Sequence, residues 1–214
     1  MLQLIATVFM AIPTHFPTPF GATAFDQLIQ TFREKGPLTA SDEELMRATY
    51  QERRYGKNEH VYQAGQVCPH ACYIVRGVFR EYHMDDHGAE HTIRLSFDDY
   101  FVGDQQSLFS LEPSGHSVQC LEVAVVLTLN KAGYEYLFAN SPTFGEIFRF
   151  IRNRSFNVSM QQLTDKSAKT SEQRYRDLMA ENPQIFQRVA LKHIASWMGV
   201  QPETLSRIRK HITF

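Results

Sequence analysis

The chain has 214 residues and a mass of 24.7 kDa, enough for one large domain or two smaller ones with their own hydrophobic cores. Hydrophobic residues make up 43% and charged residues 21%, which excludes a chain that is disordered, collagen-like or coiled-coil throughout. The net charge of −1 conceals an asymmetry: from residue 166 onward nine Lys and Arg stand against four Asp and Glu, a balance of +5, which leaves −6 for residues 1–165. A basic C-terminal segment is a first indication of a polyanionic partner.

The first 23 residues predict an irregular arm. Residues 1–12 are apolar, but no Lys or Arg precedes Arg33, and prolines follow at positions 13, 17 and 19. This stretch lacks the basic region of a signal peptide and the roughly 20 apolar residues of a spanning helix. An extension from a wrongly chosen start codon is an open alternative. The three cysteines form no disulfide framework, so we expect a cytoplasmic protein without a membrane partner.

Two helices are predicted after the arm. The first covers Ala24–Phe32. For the second, Ser41 offers its side chain as an N-cap and Glu44 completes a capping box, so the predicted helix begins there and runs to about Arg53.

From Tyr55 to Leu129 the hydrophobic period changes from helical to two. Short β-rich segments alternate with Gly or Asx breaks, and the clearest are Tyr73–Val75, Val78–Tyr82, Thr92–Phe97 and Val123–Leu129. The polar run Asp85–Gly88 separates two of them as a turn. Many short strands with this punctuation indicate an antiparallel barrel or roll, which we assign to residues 24–141.

A long helix is predicted from Pro142, a residue suited to the first helical position, to about residue 166. Seven residues fall on one side of this helix: Phe144, Ile147, Phe148, Ile151, Ser155, Val158 and Gln162. Phe150 and Phe156 point elsewhere, so the helix has two apolar directions, one for its own roll and one for a second subunit. A helix packed entirely within one monomer is the alternative. Another helix, capped by Thr170 or Ser171, runs to Glu181 and ends at Asn182-Pro183.

Residues 167–214 contain two further helical patterns joined by a glycine. In the first pattern Leu191, Ile194, Ala195 and Met198 share one face, and Gly199 follows where a positive φ is needed. Pro202 opens the second, whose inner residues are Leu205, Ile208 and Ile212. This arrangement is typical of a helix-turn-helix, in which the second helix enters a major groove about 12 Å wide.

The second helix would present hydrogen-bonding and cationic side chains to DNA. Arg207 can donate two hydrogen bonds to guanine, and Glu203 can accept from cytosine or hold the Arg207 guanidinium. Lys192, Arg209 and Lys210 suit phosphates. The full predicted DNA-binding set is Gln201, Glu203, Ser206, Arg207, Lys210, Arg209 and Lys192. The alternative is a helical hairpin with a solvated basic face that never contacts DNA.

This segment resembles the helix-turn-helix of the Crp/Fnr family of bacterial transcription regulators. Six residues match the family's Gly-x-(Ser/Thr)-x-Glu-Thr-(Leu/Val)-(Ser/Gly)-Arg pattern: Gly199, Glu203, Thr204, Leu205, Ser206 and Arg207. The resemblance places the family's base-reading residues at Glu203 and Arg207. The chain departs from the pattern at Pro202, where the family often has Arg, and at Gln201, where it has Ser or Thr.

The resemblance extends over nearly the whole chain after the arm. Three segments of the roll resemble the family. Tyr73–Gly77 resembles its strand that leads into a Gly turn, and Phe101–Asp104 resembles the start of its cyclic-nucleotide cassette. Cys120–Glu122 resembles the entry to its last roll strand. The divergent branch found in Bacteroidetes-type bacteria is the most similar. The implied fold is α+β: an antiparallel β-roll of the cyclic-nucleotide-binding type (a double-stranded β-helix) with flanking helices, a long dimerisation helix and a C-terminal winged helix-turn-helix. Because the chain ends at Phe214, we expect a short or missing wing. The implied partners are double-stranded DNA, a second copy of the chain, RNA polymerase and a small-molecule effector.

The predicted sensor pocket consists of Gly103, Asp104, Ser114 and Gly115. Asp104 stands where the family has Glu, and Ser114-Gly115-His116 stand where it has Arg-Ser-Ala. A buried cyclic phosphate needs a cation, and the next Arg is Arg149, on the long helix. We therefore expect weak or absent binding of cyclic AMP and cyclic GMP and predict no cofactor. Asp104 is equally well explained as a turn cap.

Two histidine- and cysteine-containing segments raise a rival function. His83, Asp85, Asp86, His87 and His91 crowd the predicted hairpin, which would suit a cupin-like metal-dependent enzyme. The simpler interpretation, which we adopt, is that His83 and His91 face each other across two strands and that no metal binds. Cys68 and Cys72 are expected in a solvent-exposed bend. The sequence has no hydrolase elbow, P-loop or zincin motif, so we predict a non-enzyme. A ligand-binding module whose helix-turn-helix only packs is a further alternative.

Overall fold

The computed structural model describes residues 23–212, so the predicted arm lies outside the described residues except for Thr23. The helices are α1 Ala24–Arg33, α2 Ala40–Thr49, α3 Gln105–Ser110, α4 Lys131–Asn140, α5 Pro142–Ala168, α6 Ser171–Glu181, α7 Ile185–Arg188, α8 Leu191–Met198 and α9 Pro202–Ile212. The strands are β1 Gln51–Tyr55, β2 His60–Tyr62, β3 Ala71–Arg76, β4 Phe79–Met84, β5 Glu90–Ser96, β6 Phe101–Val102, β7 Ser117–Cys120 and β8 Ala124–Leu129. Among these residues no helix is both long enough and apolar enough to cross a bilayer.

The strands form two four-stranded antiparallel sheets that make the predicted roll. One sheet has the order β1-β8-β3-β6 and the other β2-β7-β4-β5. The hairpin predicted at Asp85–Gly88 joins β4 to β5, and His83 pairs with His91 in its register. The prediction of an α+β fold with a β-roll and a long helix is confirmed.

The prediction for α2 is wrong at both ends. Its N-cap is Thr39, with Asp42 completing the capping box, instead of Ser41 with Glu44. The helix also ends at Thr49, because Gln51–Tyr55 pairs with β8 as a strand at the edge of its sheet. The side chains of β1 are exposed except for Tyr55, so this strand is held by backbone hydrogen bonds and shows no hydrophobic alternation in its sequence.

The later helices begin and end close to their predicted positions. Ser141 caps α5 through the Phe144 amide, with Pro142 in the first turn. Thr170 caps α6 in a capping box with Gln173, and α6 ends at Glu181 as predicted.

Two hydrophobic clusters organise the molecule. The larger fills the roll and includes residues from α1, α2, α4 and the first two turns of α5. The second lies under the C-terminal module, which we define as α6–α9 (Ser171–Ile212). Its buried residues include Tyr175, Leu178, Ile194 and Leu205 from the module but also three from the roll: Val78, Leu95 and Leu121. The C-terminal module therefore packs directly on the roll.

Candidate nucleic-acid interface and sensor pocket

The turn between α8 and α9 is built around Gly199. This residue has φ 67° and ψ 36°, the left-handed conformation expected from the sequence, and its amide donates to the carbonyls of Ala195 and Ser196. No described atom lies within 4 Å of a Cβ built at this glycine, so the backbone angle alone explains it. The turn lets Pro202 open α9 in a new direction.

The two faces of α9 differ as the helix-turn-helix pattern predicts. Leu205 and Ile208 are buried against the second cluster, and Ile212 packs beside them. Glu203, Arg207 and Lys210 are exposed. The helix therefore combines a hidden apolar side with a solvent-facing side that carries a carboxylate and two cations.

The other predicted DNA-binding residues surround this face. Gln201 and Lys192 are exposed, and Ser206 is partly exposed. The Arg209 guanidinium lies 4.7 Å from the centre of the Phe186 ring, so this side chain is engaged within the module. The predicted residues thus lie on α8, α9 and the turn between them, and among them Arg209 contacts Phe186.

A polar interface fixes the C-terminal module to the roll, and sequence reasoning missed it. The Thr92 amide donates to Ser196 Oγ (2.8 Å), which in turn donates to the Glu90 carbonyl oxygen (3.3 Å). Arg188 makes ion pairs with Asp98 (2.9 Å) and Glu122 (2.6 Å) of the roll. The neighbouring carboxylates raise the pKa of Arg188 against the opposing effect of burial. No local motif connects residues that are 66 to 106 positions apart in the chain.

A small polar cavity lies at the predicted sensor pocket, and two of the four predicted residues, Asp104 and Gly115, line it. Its volume is about 140 Å³, and its lining includes Asp104, Glu112, Gly115 and His116. Small-molecule sites typically measure roughly 300–1,000 Å³. No Lys or Arg of the described chain lines it. Cation-free and narrow, the cavity offers a cyclic phosphate no charge partner.

The predicted pocket residues lie together but are occupied with structural contacts. Asp104 caps α3 by accepting from the Ser107 amide (3.1 Å), and its other oxygen accepts from Ser114 Oγ (2.7 Å). Gly103 has φ 141°, and a Cβ there would lie 3.0 Å from Ala71 Cα. Asp104 is thus the N-cap of α3, and Gly103 lies where the backbone of Ala71 leaves little room for a side chain.

The cysteine prediction needs correction. Cys68 and Cys72 are buried, because Cys68 lies next to α3 and Cys72 is part of strand β3 in the core of the roll. The Cys68 amide donates to Ser107 Oγ (2.9 Å), and burial raises the pKa of the Cys68 thiol to about 11. Between them His70 bonds the Tyr55 hydroxyl (2.9 Å), and burial lowers the pKa of His70 to about 4. The expected exposed bend with two thiols is therefore wrong.

The hairpin histidines are arranged as the simpler interpretation predicted. The rings of His83 and His91 stack with their centres 5.0 Å apart, and His91 Nε2 lies 2.7 Å from Asp85 Oδ2. Within residues 23–212 no group of three or more His, Cys, Asp or Glu side chains is placed to hold a metal ion.

The second half of α5 presents an unpartnered apolar surface. Phe144, Ile147 and Phe148 are buried in the roll cluster and Ile151 packs against it. Beyond that point Phe156, Met160 and Leu163, spaced four and three residues apart on one face, are 64%, 47% and 60% exposed. We call these three residues the apolar stripe. Val158 is also exposed at this end of the helix.

Residues 52–141 match the family model of the cyclic nucleotide-binding domain. Among solved structures, the chain is similar to the c-di-GMP responsive global regulator CLP of Xanthomonas campestris, with a TM-score of 0.65 and 15% identity over 82% of this chain and 92% of that one. A putative transcriptional regulator of the Crp/Fnr family from Eubacterium rectale has a TM-score of 0.63 and 15% identity over 82% of this chain and 84% of that one. The Thermus thermophilus catabolite activator protein has a TM-score of 0.52 and 19% identity over 82% of this chain and 84% of that one.

The chain shares the fold of these solved structures. Its roll is of the cyclic nucleotide-binding-domain type, and the resemblance stated from the sequence is confirmed at this level. No curated protein sequence matches the chain significantly.

Proposed function

We propose that this chain is a sequence-specific DNA-binding transcription regulator that acts in the bacterial cytoplasm as a homodimer. The observation that carries the proposal is the exposed face of α9, where Glu203 and Arg207 project into solvent while Leu205 and Ile208 are buried. In this proposal residues 24–141 form the sensor domain, 142–166 the dimerisation helix and 167–214 the DNA-binding domain. The similarity to proteins described as transcription regulators supports it.

The chemistry of the exposed face suits a base pair in a major groove. Arg207 can donate two parallel hydrogen bonds to guanine, and Glu203, one turn earlier on the same face, can accept from cytosine or hold the Arg207 guanidinium. Lys192 and Lys210 are exposed and can neutralise phosphates. Phosphate contacts would give affinity, and the Glu–Arg pair would give sequence preference.

The apolar stripe supports the dimer. An exposed Phe-Met-Leu row on a helix is costly in water and is covered when a second copy packs in parallel. The same spacing continues toward the start of α5 with Arg152, Arg149, Gly145 and Pro142. These four residues, together with Phe109 and Phe138, line a cavity of about 590 Å³. A twofold axis along this face would present two α9 helices to successive major grooves, about 34 Å apart.

Binding to DNA is tested with the full-length protein and a random-sequence duplex library. We expect enrichment of a near-palindromic site and binding that weakens linearly with the logarithm of salt concentration. If the protein shows no salt-dependent binding to DNA, the proposal is contradicted. That result would favour a ligand-binding module whose helix-turn-helix only packs against the rest of the protein.

Replacement of Arg207 by Ala tests the base-reading role. We expect a loss of about 1–3 kcal/mol in discrimination at one base pair, with little change on unrelated sequences. Fluorescence anisotropy on the selected site and its single-base variants measures this. Arg54→Ala, an exposed arginine on β1, is the matched control and should bind like wild type. An equal loss on every sequence would mean that Arg207 contacts only phosphate.

A further inference from the structure

The interface between the roll and the C-terminal module contains a buried arginine that joins three elements. Arg80 of β4 is 4% exposed. Its Nε donates to Gln119 Oε1 of β7 (2.8 Å), and Nη2 lies 2.7 Å from Glu90 Oε2 of β5. The guanidinium stacks on the Tyr82 ring, with its central carbon 4.1 Å from the ring centre. The third nitrogen, Nη1, lies 3.1 Å from Nδ1 of His193 on α8.

This last contact fixes the protonation state of His193. An arginine side chain is always charged and carries only hydrogen-bond donors. Nδ1 of His193 must therefore accept, so the ring is neutral with its proton on Nε2. A second proton on Nδ1 would set two N–H groups and two positive charges against each other at a site with little water.

The charges that face His193 come from three elements. Arg80 of β4 and Lys192 of α8 oppose a positive ring, whereas Glu90 of β5 favours one. Glu90 is already shared with Arg80. His60, on the far side of Tyr82, bonds the Tyr82 hydroxyl (3.0 Å) and is itself affected by Arg80 and Glu90. The charges around His193 therefore disfavour a positively charged ring.

We propose that the Arg80–His193 contact is an acid-sensitive latch: the C-terminal module is docked most firmly on the roll while His193 is neutral, and protonation of His193 weakens the docking of α8 on β5. The other polar contacts across the interface do not behave in this way. The hydroxyl of Ser196 does not titrate near neutral pH, and Arg188 stays charged between its two carboxylates. The latch concerns docking and does not require that the proposed DNA binding is correct.

The direction of the pH effect follows from the two states of His193. In the docked state burial, with Arg80 and Lys192, lowers the pKa of His193 to about 4, from an ordinary value of 6.5. Docking is therefore fully favoured above pH 6.5 and weakens as the pH falls from 6.5 toward 4. Since the ring is only half-buried, solvent screening reduces the effect, and we expect a loss of about three- to tenfold in the docking constant between pH 7.5 and 5.5.

The Thr92 amide reports docking directly, because its hydrogen-bond partner is Ser196 of α8. Hydrogen exchange of this amide, corrected for the intrinsic effect of pH, is measured at pH 7.5 and 5.5 in the full-length protein. The Ile74 amide, bonded to the Tyr100 carbonyl inside the roll, is the internal reference. The variants are His193→Gln, whose side-chain oxygen can still accept from Arg80, and the matched control His87→Gln in the exposed hairpin turn.

We expect Thr92 protection to fall about three- to tenfold in wild type and in His87→Gln, with Ile74 unchanged. In His193→Gln the protection of Thr92 should not change with pH. A His193→Gln protein in which Thr92 is unprotected already at pH 7.5 also supports the latch, since it shows that the neutral ring holds the interface closed. An equal fall in His193→Gln, no fall in wild type, or a fall of Ile74 in step with Thr92 would overturn the proposal.

Discussion

In the sensor pocket, the carboxylate of Asp104 already accepts two hydrogen bonds, from the Ser107 amide and from Ser114 Oγ. In a cyclic-nucleotide site that carboxylate would have to bind the ribose, and an arginine nearby would have to neutralise the phosphate. Ser114 is buried and Gly115 has no side chain, so neither supplies a charge. Anion binding here would leave the phosphate desolvated without a counter-charge.

We therefore expect no binding of cyclic AMP or cyclic GMP to the full-length protein by isothermal titration calorimetry. The physical reason is the missing cation, so Gly115→Arg, which adds a guanidinium to the lining of the cavity that contains Asp104, is the matched variant. If that variant gains measurable heat on titration, the reasoning is supported. A micromolar or tighter dissociation constant for wild type would contradict it.

Single residues were predictable where one local pattern defines their environment. Gly199, Leu205 and Arg207 lie within nine positions, and helical periodicity alone separates the turn, the buried side and the exposed side. Arg80, Arg188 and His193 were not predictable, because their partners lie on other elements and the sequence contains no signal for that pairing. Cys68 and Cys72 were misplaced for the same reason, since Cys68 is bonded to Ser107 of α3 and Cys72 pairs with Val102 and Thr128 of neighbouring strands.

Among the elements, α5 lies in two different environments along its length. Its first two turns are held by Phe144, Ile147 and Phe148 in the roll cluster. Farther along, the roll reaches the helix through Arg94, whose Nη2 donates to Ser159 Oγ (3.1 Å). The apolar stripe is exposed, in contrast to Phe144, Ile147 and Phe148. Ile151 packs on the roll, so a change there would report folding as well as subunit contact.

Replacing Phe156 and Leu163 together by Glu should split the proposed dimer. Two carboxylates per subunit would meet their copies across the twofold axis, where like charges and desolvation oppose association. Light scattering should give the mass of one chain instead of two, with an unchanged circular dichroism spectrum. Val123→Glu, at an exposed apolar residue outside α5, is the control and should leave the mass as in wild type. An unchanged mass in the double variant would remove the apolar stripe from the interface.

The start of the roll shows where sequence patterns fail at the scale of an element. Two overlapping cap patterns begin at Thr39 and Ser41, and both have an acidic residue three positions later. The structure uses the first, where Asp42 is buried and also bonds Ser141 of the α4–α5 junction. The charged run Gln51–Arg54 has no strand periodicity, because pairing with β8 needs only its backbone. The long strands and helices were predictable because each carries one buried face.

At the scale of the whole molecule, the hydrophobic core of the C-terminal module is shared with the roll. Val78, Leu95 and Leu121 belong to strands or turns of the roll, yet they pack with Tyr175, Ile194 and Leu205. The order of roll, long helix and helix-turn-helix was predicted from the sequence, but this shared core was not. Each module supplies part of the surface that the other must bury.

A fragment that contains only residues 167–214 should therefore be poorly folded. Without Val78, Leu95 and Leu121 its buried leucines and tyrosine would lose a wall of their cluster, and Arg188 would lose both of its carboxylates. We expect narrow amide dispersion in the NMR spectrum of the fragment and well-dispersed signals for the same residues in the full chain. A well-dispersed spectrum for the fragment would contradict this.

The shared core also limits how the protein can be re-engineered. Attaching this helix-turn-helix to a foreign sensor would require transplanting the matching patch of sheet with it. Substitutions at Leu95 or Leu121 of the roll would change the packing and stability of α9 through the shared core. The proposed DNA-binding surface and the roll are therefore expected to diversify together.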